Sequence, residues 1–147
     1  MGDLKYGRTV RSLARMLVNF SGIHITFVSP PSLSIGDDVK ALLQEKGVVF
    51  SETAELEGAL SKADVFYMTR VQKERFSDKT EYERLEDSYI LTPALMQKLK
   101  GSARVMHPLP RVNEIAPEVD ADPRAAYFRQ ARNGLFVRMA LLDILLS

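Results

Sequence analysis

The chain of 147 residues contains no cysteine and only two histidines. The absence of cysteine excludes disulfides, thiolate nucleophiles and cysteine metal ligands, and it permits an intracellular location. Neither histidine belongs to a group of carboxylates at metal-ligand spacing, so the sequence predicts neither a metal site nor a cofactor. The apolar runs are short and interrupted, and no signal peptide or membrane span is visible among them.

The chain also lacks an excess of charge of either sign, with 20 lysines and arginines against 19 aspartates and glutamates. A net charge of +1 gives no broad basic surface, so neither nucleic acid nor a membrane is predicted as a partner. Hydrophobic residues make up 46% and charged residues 27%, which is ordinary for a globular protein. The length fits one domain with a sizeable core.

Segments of strand and helix character alternate along the whole chain. Strands are predicted at residues 23–29, 48–50, 63–68, 89–91 and 103–106, and helices at 9–20, 37–46, 56–62, 92–99 and 133–146. Asp37 or Asp38 is predicted to cap the second of these helices, and residues 127–130 are predicted as a short amphipathic segment before the last helix. Polar residues 76–88 are predicted as a long surface loop, of the kind that often forms a lid, and the alternative is a disordered connection. This alternation is typical of an α/β fold with three αβα layers and a mainly parallel, doubly wound, Rossmann-like sheet.

The last predicted helix, residues 133–146, carries apolar side chains around more than one face. Such a helix requires burial on several sides. No apolar strand precedes the glycine-bearing loop at residues 2–8, although a loop that leads into a helix in this way normally follows a strand. Both observations favour a fragment of a larger protein that lacks a partner domain or subunit.

A glycine-bearing loop, GDLKYGR at residues 2–8, leads into the first helix. The first amide N–H groups of a helix lack partners and bind anions. Lys5, Arg8 and Arg11 add positive charge there, although such charges are mildly unfavourable at this end of a helix. The segment therefore favours an anion site, and the alternative is a basic first turn without function.

Two strands are each followed abruptly by residues suited to binding. The strand at residues 63–68 leads to Arg70 and Gln72, at the edge where open α/β sheets bind ligands. The alternative for these two residues is an ordinary solvated loop. The strand at 103–106 runs into the HPLP turn of residues 107–110, which either holds carbonyl groups towards a ligand or only ends the strand.

Three stretches in order, GDLKYGRTV (2–10), YMTRVQKERF (67–76) and MHPLPRVNEI (106–115), resemble the carboxyl-terminal, aspartate-binding half of the aspartate carbamoyltransferase family. YFRQ (127–130) follows in the expected place, and the resemblance covers essentially the whole chain. Ornithine carbamoyltransferases carry a cysteine-containing motif where this chain has HPLP, so aspartate is the better substrate. The resemblance implies carbamoyl transfer from carbamoyl phosphate to L-aspartate in de novo pyrimidine biosynthesis, by a cytoplasmic homotrimer of catalytic chains.

The resemblance also implies roles for individual residues. Arg8 is similar to the arginine that binds one aspartate carboxylate, and Arg70 to the second carboxylate clamp, with Gln72 beside it. The segment Pro108, Leu109 and Pro110 is similar to the one whose backbone carbonyls orient the carbamoyl group and the incoming amine. The resemblance also implies a cis Leu109–Pro110 bond. Residues 76–88 resemble the mobile loop that closes over substrate.

The sequence departs from the family pattern in two places. Arg11 stands where the family usually has histidine. The amino-terminal carbamoyl-phosphate domain, with its Ser-Thr-Arg-Thr-type loop and a lysine from a neighbouring subunit, is absent, so residues 1–147 are expected to hold no complete catalytic set and to be inactive alone. One alternative is a non-catalytic assembly or binding module of the same fold. Another is a generic phosphate- or nucleotide-binding domain, although the first loop has neither a GxGxxG nor a Walker pattern.

Overall fold

The computed structural model describes residues 1–76 and 78–147. Helices and strands follow one another in this order: α1 (Arg8–Leu17), β1 (His24–Val28), α2 (Asp37–Glu45), β2 (Val49–Thr53), α3 (Glu57–Leu60), β3 (Val65–Tyr67), α4 (Lys79–Leu85), α5 (Pro93–Met96), β4 (Arg104–Met106) and α6 (Tyr127–Leu146). Short 3-10 helices lie at Pro31–Leu33, Lys73–Arg75 and Pro117–Ala121.

The strands within the described residues pair in parallel. β1 pairs with β2 from His24 to Val28, and β3 pairs with β4 from Val65 to Tyr67. The first two residues lie between these pairs, because the carbonyl of Met1 accepts from Thr69 N–H (2.9 Å) and Gly2 N–H donates to the carbonyl of Val28 (3.1 Å). The predicted α/β class with a parallel sheet is confirmed.

Two apolar clusters cover the strands. In one cluster, α1 and α2 pack against β1 around the fully buried Val39 and Leu43. In the other, α3, α5 and the start of α6 pack against β3 and β4 around Leu60, Met96 and Tyr127. A fully buried side chain of this size contributes about 1.5–3 kcal/mol. The clusters therefore fix the positions of the carboxyl ends of β3 and β4, where the candidate site lies.

The prediction of a loop at residues 76–88 is wrong, because this segment contains the helix α4. Asp78 caps the helix by accepting a hydrogen bond from Thr80 N–H (2.8 Å). The rings of Phe76 and Tyr82 meet edge to face at 5.7 Å and attach the helix to the preceding segment. Ser77, which belongs to the predicted loop, lies outside the described residues.

Three further predictions need correction. Residues 127–130 and 133–146 belong to one continuous helix, α6, since Ala131 and Arg132 between them are good helix formers. The strand predicted at residues 89–91 is reduced to a single bridge between Leu91 and Ile115, because Thr92 already caps α5. Neither Asp37 nor Asp38 caps α2: its N-cap is Gly36, and the aspartates complement the helix dipole from the first turn.

The outer surface of α6 is strongly apolar. More than half of the side-chain surface is exposed at Phe128, Leu135, Phe136, Val137, Met139, Leu141, Leu142, Ile144, Leu145 and Leu146. An exposed apolar surface of this extent is typical of an interaction site. Across residues 1–76 and 78–147, none of the helices has the length and apolar character needed to cross a membrane.

Candidate ligand-binding cleft

A cleft of about 200 Å³ lies where the first helix meets the carboxyl ends of β3 and β4. Its walls are formed by Arg8, Thr9, Thr69, Arg70, Gln72, His107, Pro108, Leu109 and Pro110. All six residues to which the family resemblance assigned a role therefore lie on one cleft, although they come from three separate segments. The cleft is in the position expected for a ligand site of a parallel α/β sheet.

Arg8 and Thr9, the first two residues of α1, form one wall of the cleft. The N-cap of α1 is Gly7, which has no side chain with which to cap the first amide groups. The positive end of the helix macrodipole therefore lies at the cleft, next to the exposed guanidinium of Arg8. This arrangement favours a negatively charged ligand.

Arg11 does not line the cleft, contrary to the grouping of basic residues expected from the sequence. Its guanidinium donates to both carboxylate oxygens of Asp38, at 2.7 and 2.5 Å. A side chain at Gly36 would collide with Arg11, so the glycine provides the space for this pair. The hydrogen bond from Arg11 lowers the pKa of Asp38. The arginine at the family's histidine position thus links α1 to α2.

Lys5, the other basic residue of the predicted anion site, also lies outside the cleft wall. Its ammonium group lies 5.1 Å from the ring centroid of Tyr6, within the range of a cation–π contact. Of the three basic residues in this part of the sequence, the structure therefore places Arg8 at the cleft.

Arg70 lies at the end of β3 and carries its own internal partner. Its Nη2 donates to Oε1 of Glu74 at 2.5 Å, and its Nη1 lies 3.4 Å from Oε2 of the same carboxylate. The backbone amide of Glu74 and the guanidinium of Arg70 together lower the pKa of Glu74. The guanidinium is thus already held in a geometry that suits a carboxylate. An incoming carboxylate would use its remaining N–H groups or displace Glu74.

The loop that begins the chain packs tightly against the segment that carries Arg70. Gly2 has φ +104°, and a Cβ atom at this position would lie 2.2 Å from the carbonyl oxygen of Thr69. The hydroxyl of Thr69 donates to the carbonyl of Met1 at 3.1 Å. Asp3 is fully buried, and burial raises the pKa of its carboxyl group. Sequence reasoning missed Thr69 and Asp3, since their burial depends on contacts between segments more than 60 residues apart.

The third wall of the cleft is the turn after β4. The Leu109–Pro110 bond is cis, as the resemblance predicted, and Leu109 has φ +48°. His107, which sequence reasoning left without a role, is 1% exposed and bonds to Glu114 at 2.8 Å. Both residues belong to the conspicuous stretch MHPLPRVNEI, but their pairing becomes apparent only once the turn is folded. Within the described residues, no group of three His, Asp or Glu side chains could hold a metal ion.

The fold and the cleft place the molecule in the class of α/β domains that bind a small ligand beyond the carboxyl ends of parallel strands. The sequence profile described as "Aspartate/ornithine carbamoyltransferase, Asp/Orn binding domain" matches residues 1–145. The chain therefore belongs to the aspartate/ornithine carbamoyltransferase family, which confirms the resemblance found in its motifs.

Individual relatives agree with this assignment. The chain is 54% identical over 144 residues to the multifunctional protein pyr1-3 of Dictyostelium discoideum, a match that covers 98% of the chain and 6% of the relative. It is 51% identical over 147 residues to the aspartate carbamoyltransferase catalytic subunit of Alkaliphilus oremlandii, with 99% and 44% coverage. Aspartate transcarbamoylase of Trypanosoma cruzi, solved with carbamoyl phosphate and aspartate, superimposes with a TM-score of 0.87 at 44% identity, with 96% and 47% coverage. The chain thus spans less than half the length of each.

Proposed function

We propose that residues 1–147 form the L-aspartate-binding half of an aspartate carbamoyltransferase. The complete enzyme would transfer a carbamoyl group from carbamoyl phosphate to L-aspartate, giving N-carbamoyl-L-aspartate and phosphate for de novo pyrimidine biosynthesis. The observation that carries this proposal is the convergence of Arg8, Arg70 and Gln72 on the same cleft as the turn at residues 108–110. The Trypanosoma cruzi relative, whose structure holds both substrates, supports the same assignment.

L-Aspartate matches the charges of the cleft because it carries two carboxylates. Arg8 would bind one and Arg70 the other, with Gln72 adding amide hydrogen bonds. A guanidinium fork binds a carboxylate bidentately, which a lysine ammonium group does not. A hydrogen bond to a charged group contributes about 1.5–3 kcal/mol. Two such contacts would fix the substrate at both ends and leave its amino group unencumbered.

The reaction then depends mainly on alignment. The neutral amine of aspartate attacks the carbamoyl carbon, a C–N bond forms, and the C–O bond to phosphate breaks as the amine loses a proton. Backbone carbonyls of Pro108, Leu109 and Pro110 would orient the carbamoyl group and the amine. Correct orientation lowers the barrier without a covalent intermediate, and the negative charge on the oxygen of the tetrahedral intermediate would be stabilised by fixed hydrogen-bond donors.

The remaining parts of the site would come from outside these residues. We infer that an amino-terminal domain binds the phosphate of carbamoyl phosphate, that it covers the apolar surface of α6, and that complete chains assemble as a homotrimer in the cytoplasm. The exposed apolar side chains of α6 and the greater length of the relatives support the additional domain. The homotrimer and the cytoplasmic location are proposed from the family resemblance alone. Residues 1–147 alone would then be inactive.

Reconstitution tests this function. The chain is joined to the amino-terminal half of the Alkaliphilus oremlandii catalytic subunit, and formation of N-carbamoyl-L-aspartate is measured; this protein is called the hybrid enzyme below. We expect the hybrid enzyme to form N-carbamoyl-L-aspartate, and we expect no activity from the chain alone or from the Arg70→Ala hybrid. A folded, oligomeric hybrid without activity would contradict the proposal and favour an assembly module.

A further inference from the structure

The turn after β4 has an unusual backbone that a side chain holds in place. Leu109 has φ +48°, a left-handed conformation that residues with a Cβ atom adopt infrequently. Its backbone N–H donates to Nδ1 of His107 at 2.9 Å. Residues in such conformations persist where the surrounding structure fixes them, often at binding sites. Leu109 lines the cleft, so its conformation determines the shape of that wall.

The hydrogen bonds of His107 define its tautomer. A backbone N–H can only donate, so Nδ1 must accept the hydrogen bond from Leu109 and carries no hydrogen. The hydrogen of the neutral ring is then on Nε2, which donates to Oε1 of Glu114 at 2.8 Å. A carboxylate partner on the second ring nitrogen is a common means of fixing a histidine tautomer.

Glu114 accepts with both of its carboxylate oxygens. Oε1 bonds to His107, and Oε2 accepts from the backbone N–H of Val112 at 3.0 Å. Glu114 is 3% exposed; burial alone would raise its pKa, but the hydrogen bonds from His107 and from backbone amides outweigh burial and lower it. The glutamate therefore remains an ionised double acceptor inside the turn.

A further contact fixes the backbone of His107 itself. Its N–H donates to the side-chain Oε1 of Gln130 at 3.1 Å, and Gln130 lies in the first turns of α6. The ring of His107 and the backbone on which it is built are thus both held, one by Glu114 and the other by α6.

We propose that His107 and Glu114 are positioning residues: Glu114 fixes the Nε2–H tautomer of His107, and Nδ1 of that ring holds Leu109 in the conformation that places the carbonyls of residues 108–110 at the substrate. This inference rests on the proposed function for the identity of the ligand. Both ring nitrogens of His107 are engaged within the protein, so His107 acts through Leu109 and takes no proton from the substrate.

Glu114→Gln in the hybrid enzyme tests the inference with almost no change of shape. A glutamine has a single acceptor oxygen, so either His107 or Val112 is left facing an NH₂ group. Glu118→Gln is the matched control, because it removes the same charge from an exposed residue four positions further along the chain. We expect Glu114→Gln to lower kcat roughly 10- to 100-fold, the effect of a small misplacement, with a smaller change in the KM for aspartate. Glu118→Gln is expected to keep the original kcat and KM.

Nuclear magnetic resonance gives an independent readout of the tautomer. The chain's own two histidines are His24, which is exposed, and His107, which is buried. Any further histidines of the ¹⁵N-labelled hybrid belong to its amino-terminal half. The ring signals of His107 are identified as those that disappear in a His107→Asn sample. We expect the His107 ring to show a hydrogen on Nε2 and none on Nδ1, and this signature to change in Glu114→Gln. A hydrogen on Nδ1 in the unsubstituted protein would overturn the proposal.

Two substitutions of His107 keep the proposal testable if Glu114→Gln does not fold. His107→Asn retains an acceptor near the position of Nδ1, whereas His107→Gln retains a donor near the position of Nε2. If holding Leu109 is the function, His107→Asn keeps the higher kcat, and equal values would overturn the proposal. An inactive unsubstituted hybrid would instead refute the proposed function, and the tautomer measurement would still decide the inference.

Discussion

The guanidinium of Arg70 donates from both terminal nitrogens to the carboxylate of Glu74, four residues further along the chain. Arg70 lines the cleft, so this pair fixes the orientation of the arginine at the place where we propose that aspartate binds. Because Glu74 is more than half exposed, the pair adds little to the stability of the fold. Its importance would therefore lie in positioning.

Glu74→Gln is expected to raise the KM for aspartate in the hybrid enzyme by roughly two- to five-fold, the equivalent of about 0.4–1 kcal/mol. The guanidinium of Arg70 would then sample more orientations before the substrate binds. Glu57→Gln removes a comparable exposed ion pair with Lys98, away from the cleft, and serves as the control. A KM that is equally unchanged in both variants would show that Glu74 does not position Arg70.

Gly2→Ala is expected to destabilise the fold by about 2 kcal/mol, since alanine tolerates neither the φ of +104° nor the approach of Thr69. The segment that carries Arg70 would shift, so the KM for aspartate should also rise. Gly101→Ala is the control, because a Cβ atom there would meet no atom within 4 Å. Chemical denaturation of both variants measures the difference, and equal free energies of unfolding would contradict the close packing at Gly2.

Asp120 should contribute to the acid sensitivity of the fold. Arg111 donates to it at 2.6 Å, and this hydrogen bond lowers the pKa of Asp120. A carboxyl whose folded-state pKa is lowered stabilises the fold above its unfolded pKa of about 3.9. That contribution is lost as the pH falls through the folded-state pKa.

In Asp120→Asn, the free energy of unfolding should therefore fall less between about pH 5 and pH 2 than in the unsubstituted chain. The difference is expected to be up to about 1 kcal/mol. Asp143→Asn, which changes an exposed carboxylate on α6, is the control. Denaturation at several pH values measures the effect, and parallel curves for Asp120→Asn and the unsubstituted chain would contradict it.

The isolated chain should self-associate or bind a hydrophobic dye through the apolar surface of α6. Leu142→Gln together with Leu145→Gln is expected to reduce dye fluorescence, because these side chains are 58% and 77% exposed. Val49→Gln changes a comparably exposed side chain on β2 and is the control. The hybrid enzyme should bind little dye, whereas a monodisperse isolated chain without dye binding would contradict the interpretation of α6.

The sequence indicated most of the cleft but little of its support. Arg70 and Gln72 were recognisable because polar residues follow a buried strand directly, and a parallel sheet gathers such segments at one edge. The partner of Arg11 was not predictable, since Asp38 lies 27 residues away on another helix. The pairing of His107 with Glu114 likewise depends on the path of the turn between them.

The errors in secondary structure have a similar origin. α4 is a polar helix without a clear apolar period, so its sequence resembles that of a surface loop. α4 is stabilised by its cap at Asp78 and by the contact between Phe76 and Tyr82. The spacing of apolar residues along the sequence predicts neither of these contacts. Gly36 was overlooked as the N-cap of α2, because two aspartates follow it and are preferred at such positions.

The KM for L-aspartate in Arg8→Lys and Arg70→Lys hybrid enzymes tests the central proposal most directly. Each substitution keeps the positive charge but removes the planar fork. We predict that each raises this KM by roughly 10- to 150-fold, the equivalent of about 1.5–3 kcal/mol, while Arg15→Lys on the outer part of α1 leaves it unchanged. If both cleft variants bind aspartate as well as the unsubstituted enzyme does, these two arginines do not hold the substrate carboxylates.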